Sequence, residues 1–227
     1  MTGAAVDRFF SYPPGAPSTW PRMTYEEYMA WSDEDTWAEW VAGEVVPWER
    51  MTLTHQRLLG WTLMLLDHYA RAHDLGEVIH LVGVHLPSRP SLRLPDVVFV
   101  AHRHRDRLTP TVIEGPPDLI VEIVSDDSVR RDQIEKRDEY AAAGVPEYWW
   151  LDPRAGQQQA SFYRLTRAGR CELVPLDAAG RFVSEALPGL WLDPAWLWQD
   201  PLPDPLVLIK RIAPYALRDL LLAPDAD

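Results

Sequence analysis

The chain has 227 residues, which suits one domain with appendages, and its 47% hydrophobic content is enough for a sizeable globular core. A single cysteine, Cys171, excludes an intrachain disulfide and a cysteine-built zinc site, and no apolar run of about 18 residues is available to span a membrane. The net charge of −12 argues against tight nonspecific binding to DNA, although residues 85–140 carry 9 basic and 11 acidic residues and are close to neutral.

Residues 1–21 hold four prolines and little periodicity, and read as an extended N-terminal arm. They contain neither a basic leader nor a long apolar stretch, so no signal peptide is expected. Together with the lone cysteine this points to a reducing, cytoplasmic setting. MTYEEYMAWS (23–32) opens with a threonine and carries Glu27 three residues on, the pattern of a capping box at the start of a short helix. AEWVA and EVVPW around Gly43 read as a hairpin. THQRLLGWTLMLLDHYARAH (54–73) is the longest helical pattern, with Leu58, Leu59, Trp61, Leu65, Leu66 and Tyr69 on one stripe.

Short strands are expected at EVIHLVGV (77–84), LPDVVFV (94–100) and DLIVEIVS (118–125). SVRRDQIEKRDEYAAAG (128–144) reads as a helix stopped by Gly144, with Pro146 beyond it. PEYWWLDP (146–153) returns as a strand, so 118–152 is a βαβ unit with parallel pairing. SFYRLT (161–166), CELVPL (171–176) and RFVSEAL (181–187) suggest a closing meander. A Trp- and Pro-rich wrap over 187–205 leads to an amphipathic tail helix over 207–223, interrupted near Pro214. The domain is thus expected over 22–199, with a helical tail over 200–227.

Two acids stand out. Asp96 follows Pro95 at the start of a β-branched run, and Glu122 sits in the middle of LIVEIV. Acids in strands otherwise built for burial need a partner, either a metal or a buried cation such as arginine. The chain has twenty arginines and two lysines, so a lysine downstream of these acids is conspicuous. Lys136 is that lysine, and Asp132, Lys136 and Tyr140 share one helical face at i, i+4, i+8. Arginine spreads its charge over a planar fork, whereas lysine is a compact, tunable point charge. Two carboxylates and one ammonium are the parts for metal-assisted phosphodiester hydrolysis. Lys136 is expected to project into an open cleft and to contribute little to folding. HRHRDR (102–107) is the densest basic cluster, which makes Arg103, Arg105 and Arg107 candidate phosphate contacts; a His-x-His metal pair and a solvated loop are the other readings. Trp149, Trp150, Trp191, Trp196 and Trp198 suit core packing or a self-association surface, with base stacking as the alternative.

LPDVVFV, PPDLIVEIVS, RRDQIEKRDEYAAAGVPEYWWLDP and the later LPGLWLD resemble the Uma-type restriction-endonuclease family of the PD-(D/E)XK superfamily. The resemblance extends upstream through MTYEEYMAW, AEWVAGEVV and THQRLL, and so covers roughly residues 22–193. It implies a restriction-endonuclease-like α/β fold: a mixed β-sheet flanked by helices, here with extra C-terminal strands and a tail helix. It implies Mg²⁺ or Mn²⁺ as cofactor, held by Asp96, Glu122 and the backbone carbonyl of Ile123, with DNA as the partner. The superfamily's usual lysine stands two residues after the glutamate, where this chain has Val124; the resemblance moves that role to Lys136. It also adds Glu39 to the catalytic set and makes His55 a site neighbour. Ser125-Asp126-Asp127 departs from the family's Ser-Pro-Ser and adds negative charge. A non-catalytic binding module on the same fold is the alternative function, and a hydrolase of small phosphoesters a third. The Trp-rich C-terminal segment suggests a homodimer.

Overall fold

The computed structural model describes residues 22–33, 36, 38–47, 51–124 and 131–215, without the side chains of 47 and 131–133. Helix α1 (Tyr25–Trp31) begins at Thr24, whose hydroxyl accepts from Glu27 N while the Glu27 carboxylate accepts from Thr24 N, a complete capping box. The hairpin β1 (Ala38–Val41) and β2 (Glu44–Pro47) follows, then α2 (Leu53–Ala72), capped by the Thr52 hydroxyl. Next come β3 (Gly76–His80), β4 (Gly83–Leu86), β5 (Ser91–Arg93) and β6 (Val97–Ala101). A 3₁₀ turn over His102–Arg107 leads to β7 (Val112–Glu114) and β8 (Leu119–Ile123). A π-helical turn, Arg131–Lys136, runs directly into α3 (Arg137–Ala143). The chain ends with β9 (Glu147–Asp152), β10 (Gln159–Leu165), β11 (Cys171–Leu173), β12 (Phe182–Val183), β13 (Trp191–Leu192), a 3₁₀ turn at Pro194–Trp198 and α4 (Pro205–Ile212).

The architecture is mixed α/β. A six-stranded sheet has the order β11-β10-β9-β8-β6-β3, a five-stranded sheet the order β2-β1-β5-β4-β7, and β12 pairs with β13. β8 and β9 are parallel across α3, as a βαβ crossover requires. Alternation along the central strands sorts side chains to two cores. Val97, Phe99, Leu119, Val121, Ile123 and Trp149 pack under α2. Val98, Val100, Ile120, Val124 and Trp150 face Tyr140 of α3 and Val84 and Leu86 of the second sheet. The two sheets and α3 therefore meet around the second core.

The 77–84 segment is two strands, not one. Leu81 sits at φ 51°, and the chain crosses there from the six-stranded to the five-stranded sheet. Continuous apolar character hides that break. β5 and β7, three residues each, carry no strand signal that long. The first half of the expected 128–144 helix is π-helical where it is described, while its end behaves as read: Gly144 takes the left-handed conformation at φ 93°. β12 pairs with β13 and does not join the meander. The tail helix ends at Ile212, and residues 216–223 lie outside the described residues. Leu208 and Ile209 of α4 enter the core under α2, and Trp61 Nε1 donates to Pro203 O at 2.7 Å. Trp149, Trp150 and Trp196 are buried, so most of the aromatic signal at the C-terminus is spent on packing.

Candidate active site

Asp96 stands one residue before β6. Extending the β6–β8 register by one position from Val97↔Val121 sets it opposite Glu122. Asp96 Oδ2 accepts from the Ile123 backbone N–H at 2.7 Å, taking a place where a strand carbonyl would otherwise bond. Its other oxygen, Oδ1, lies 3.2 Å from His55 Nε2. His55 is buried near the start of α2, its own N–H bonded to the Thr52 hydroxyl. Its Nδ1 has no hydrogen-bond partner among the described residues, which fits a tautomer with the proton on Nε2, toward Asp96.

Glu122 turns to α3. Its Oε1 accepts from Lys136 Nζ at 3.0 Å and from the Tyr140 hydroxyl at 2.6 Å. The residue that ends the π turn and the one four positions later thus converge on one oxygen. Lys136 Nζ also lies 3.4 Å from Glu39 Oε1. Lys136 is 4% exposed, so the expectation of an open-cleft lysine is incorrect. The ammonium is enclosed between β1, β8 and α3.

Glu39 is equally buried, at 2% exposure, because β1 is an interior strand between β2 and β5. Its Oε2 accepts from Arg93 Nη1 at 2.9 Å and its Oε1 from the Leu94 backbone N–H at 3.2 Å. Burial alone would raise its pKa, but the Lys136 and Arg93 cations and the Leu94 N–H outweigh burial and hold it at about 2. Tyr140 moves the other way. Burial first, then the charges of Glu122 and Glu39, push its hydroxyl well above the ordinary tyrosine value, so it remains a donor. Arg93, on β5, also grips Glu139 of α3 through Nε, at 3.1 and 3.2 Å, and through Nη2. Ser91 Oγ donates to the same carboxylate. Burial disfavours the Arg93 charge, but the bonds to Glu139 and the charge of Glu39 hold its proton more firmly than usual.

Of the residues singled out in the sequence, Glu39, Glu122, Lys136 and Tyr140 share one network, and Asp96, His55 and the Ile123 backbone form an adjoining one. Asp132 is in the π turn, but its side chain, like Ser125-Asp126-Asp127, lies outside what is described. Arg103, Arg105 and Arg107 lie at the far end of β6 from Asp96, about 17 Å away for a five-residue strand. Each has a protein partner: Arg103 the buried Asp118, Arg105 Glu77 at 3.3 Å, and Arg107 the Pro116 carbonyl. Sequence reasoning missed Arg93, Ser91 and Glu139. In LRLPD and RDEY they look like ordinary surface charge, and their partners are 46 to 54 residues away.

The family model described as "Uma2: Putative restriction endonuclease" matches residues 25–195. Comparison with curated proteins finds no match. Among solved structures, a protein described as a "putative nuclease belonging to DUF820" from Anabaena variabilis aligns with a TM-score of 0.64 and 15% identity, covering 78% of this chain and 97% of that one. At that identity the likeness speaks for the fold alone.

Proposed function

The chain belongs to the Uma2 family, and from that premise we propose that it is a divalent-metal-dependent endonuclease hydrolysing phosphodiester bonds in DNA. The observation that carries this reading is Lys136 Nζ within 3.0 Å of Glu122, one residue from the backbone N–H that anchors Asp96. The donor set suits a hard cation. Mg²⁺ is held by one or two carboxylates and completes its octahedron with water and phosphate oxygens. Asp96 and Glu122 meet that need without a cluster of three or more His, Cys, Asp or Glu, and none is gathered among the described residues.

Asp96 and Glu122 would hold Mg²⁺ or Mn²⁺, with the Ile123 carbonyl alongside. When bound, the ion supplies Lewis-acid polarisation of the scissile phosphate and a lowered pKa for the attacking water. Lys136 Nζ, held at Glu122, would orient the attacking water or stabilise the charge that builds on the phosphoryl oxygens. Glu39, ionised at neutral pH, places a second carboxylate 3.4 Å from the Lys136 ammonium and holds it near Glu122. The Tyr140 hydroxyl fixes the rotamer of Glu122 by donating to the same oxygen as Lys136. His55 steadies Asp96. Cytoplasmic location and a homodimer go with this reading, the second checked by analytical ultracentrifugation. No helix among the described residues is long and apolar enough to cross a membrane.

The deciding experiment is cleavage of plasmid and single-stranded DNA with Mg²⁺ or Mn²⁺ by wild type and Glu122→Gln. Cleavage by wild type, lost in the variant and on chelation, is expected. Equal cleavage by both would expose a contaminant. A second reading, a non-catalytic binding module on this fold, draws on the engagement of Arg103, Arg105 and Arg107 with protein groups and on the net charge of −12. Absence of cleavage in every condition would favour it.

A further inference from the structure

The side chain of Arg93 is 4% exposed, yet it joins three elements. From β5 it reaches Glu39 on β1 and Glu139 on α3, and Ser91 of the same strand adds its hydroxyl to Glu139. Glu139 lies three residues after Lys136 and one before Tyr140. In a helix each residue turns about 100° and rises about 1.5 Å, so whatever holds Glu139 also sets where Lys136 and Tyr140 point. A slip of one residue would carry both away from Glu122 Oε1. Lys136 closes a π turn, where regular i→i+4 bonding gives way and intrinsic geometry sets the lysine position less tightly. Buried ion pairs contribute little net stability against apolar replacements of the same shape, because desolvation offsets attraction. The planar guanidinium fork does give fixed geometry to a carboxylate bound through two of its nitrogens.

We propose that Arg93 and Glu139 form a positioning clamp, docking α3 on β5 so that Lys136 and Tyr140 meet Glu122 while Glu39 is held facing the ammonium. Neither residue touches the reacting atoms. Its effect on rate rests on the nuclease reading; its effect on Lys136 does not.

The chain's two lysines make a direct test available. Protein labelled with ¹³C and ¹⁵N at lysine gives side-chain signals from Lys136, buried, and Lys210, exposed, the second an internal control. At fixed pH the buried ammonium should exchange protons with water slowly. In Glu139→Gln, that exchange should quicken by about 10-fold or more as local protection is lost, and the Lys136 shifts should move toward those of Lys210. Glu139→Asp, which keeps the charge with a shorter reach, should recover part of the change. Metal-dependent cleavage by Glu139→Gln should fall in kcat by roughly 10- to 100-fold with the KM for DNA unchanged, the scale expected for a misplaced catalytic group.

A folded Glu139→Gln with the Lys136 signal of wild type would overturn the clamp. If that variant does not fold, Ser91→Ala removes one donor to Glu139 and carries the same test: a smaller shift in the same direction supports the clamp, and an unmoved signal overturns it. A shifted Lys136 in a protein whose wild type never cleaves DNA would leave the clamp standing and remove the nuclease reading.

Discussion

Glu122 and Glu147 are buried acids on adjacent parallel strands of one sheet, β8 and β9, and they are held in opposite ways. Every hydrogen bond to Glu147 comes from a neutral dipole, namely Trp149 Nε1 at 2.8 Å, Ser184 Oγ at 2.7 Å, and the backbone N–H groups of Glu185 and Ala186 at 2.8 and 3.3 Å, while the Arg164 guanidinium on β10 stands off at 4.0 Å. Those donors come from its own strand and from the segment that packs the C-terminal region on the core. Glu122 instead meets a lysine and a tyrosine delivered by a helix, both groups able to take part in proton chemistry. A carboxylate whose hydrogen bonds come from backbone and neutral side chains has no close proton donor of its own to exchange. One held by a side-chain ammonium and a hydroxyl has proton donors on the oxygen that would also face a metal or a water. The difference separates an anchor from a candidate reaction centre within one sheet.

The largest effect expected from this contrast concerns Lys136. Removing one partner of a buried ion pair strands the other, which costs about 3–5 kcal/mol. Lys136→Ala takes the ammonium from Glu122 and Glu39, of which Glu39 keeps Arg93 and the Leu94 N–H, so it should lower the melting temperature by about 10 °C, taking roughly 2–4 °C per kcal/mol for a chain this size. Calorimetric melts check it. Lys136→Ala with wild-type stability would mean that Glu122 is anchored as Glu147 is. Cleavage surviving that substitution would separately refute the role given to the lysine.

Acid titration comes next in size. The Glu39 pKa is depressed from 4.5 to about 2. A depressed carboxylate contributes stability that is complete above its unfolded pKa and is lost as pH falls through the folded value. The contribution, about 3 kcal/mol at about 1.4 kcal/mol per unit, should therefore disappear between pH 4.5 and 2. Denaturant melts across that window should flatten in Glu39→Gln. A Glu39→Gln curve that tracks wild type would remove Glu39 from the ionic network.

How much of this was legible in the sequence follows from how each residue is displayed. Glu122 sits in LIVEIV, where an acid among aliphatics is conspicuous, and Lys136 is conspicuous through rarity. Glu39 in AEWVA looks like hairpin surface, because nothing local says that β5 will cover β1. Arg93 and Glu139 carry no local signal: their meaning is a contact across 46 residues between a three-residue strand and a seven-residue helix. The six-stranded sheet was readable because its inner strands β6, β8, β9 and β10 run five to seven residues. Of the second sheet only the β1–β2 hairpin at Gly43 was readable: β5, β4 and β7 have three or four residues, too few for a period to show, and the crossing point at Leu81 uses a residue that seldom adopts positive φ. Burial of Lys136 was misjudged for the same reason, since its lid is that second sheet.

A smaller effect should come from the anchor itself. In Glu147→Gln one acceptor oxygen becomes an amide NH₂ facing two backbone N–H groups, at a cost of about 2 kcal/mol. The melting temperature should fall, whereas kcat and KM for DNA should not move. A specific loss of kcat would erase the distinction between the two acids.

The smallest and sharpest test is Tyr140→Phe. The change removes one hydroxyl and leaves the ring, which is fully buried and set edge-on to Tyr148 with centroids 5.5 Å apart. Glu122 loses a donor at 2.6 Å but keeps Lys136 at 3.0 Å. A hydrogen bond to a charged group contributes about 1.5–3 kcal/mol, and the lower end applies because the oxygen retains its other donor. A loss of about 1.5 kcal/mol, or roughly 3–6 °C, is therefore expected in thermal melts. The kinetic consequence is the more telling. With one tether gone, Glu122 gains rotamer freedom, so kcat should fall while KM for DNA stays level. If Tyr140→Phe instead left kcat intact, Lys136 alone would suffice to orient Glu122, and the tyrosine would be packing with a satisfied hydroxyl. Among the described residues, the ionic contact with Lys136 would then be the tether that orients Glu122, and its contrast with Glu147 would be sharper still.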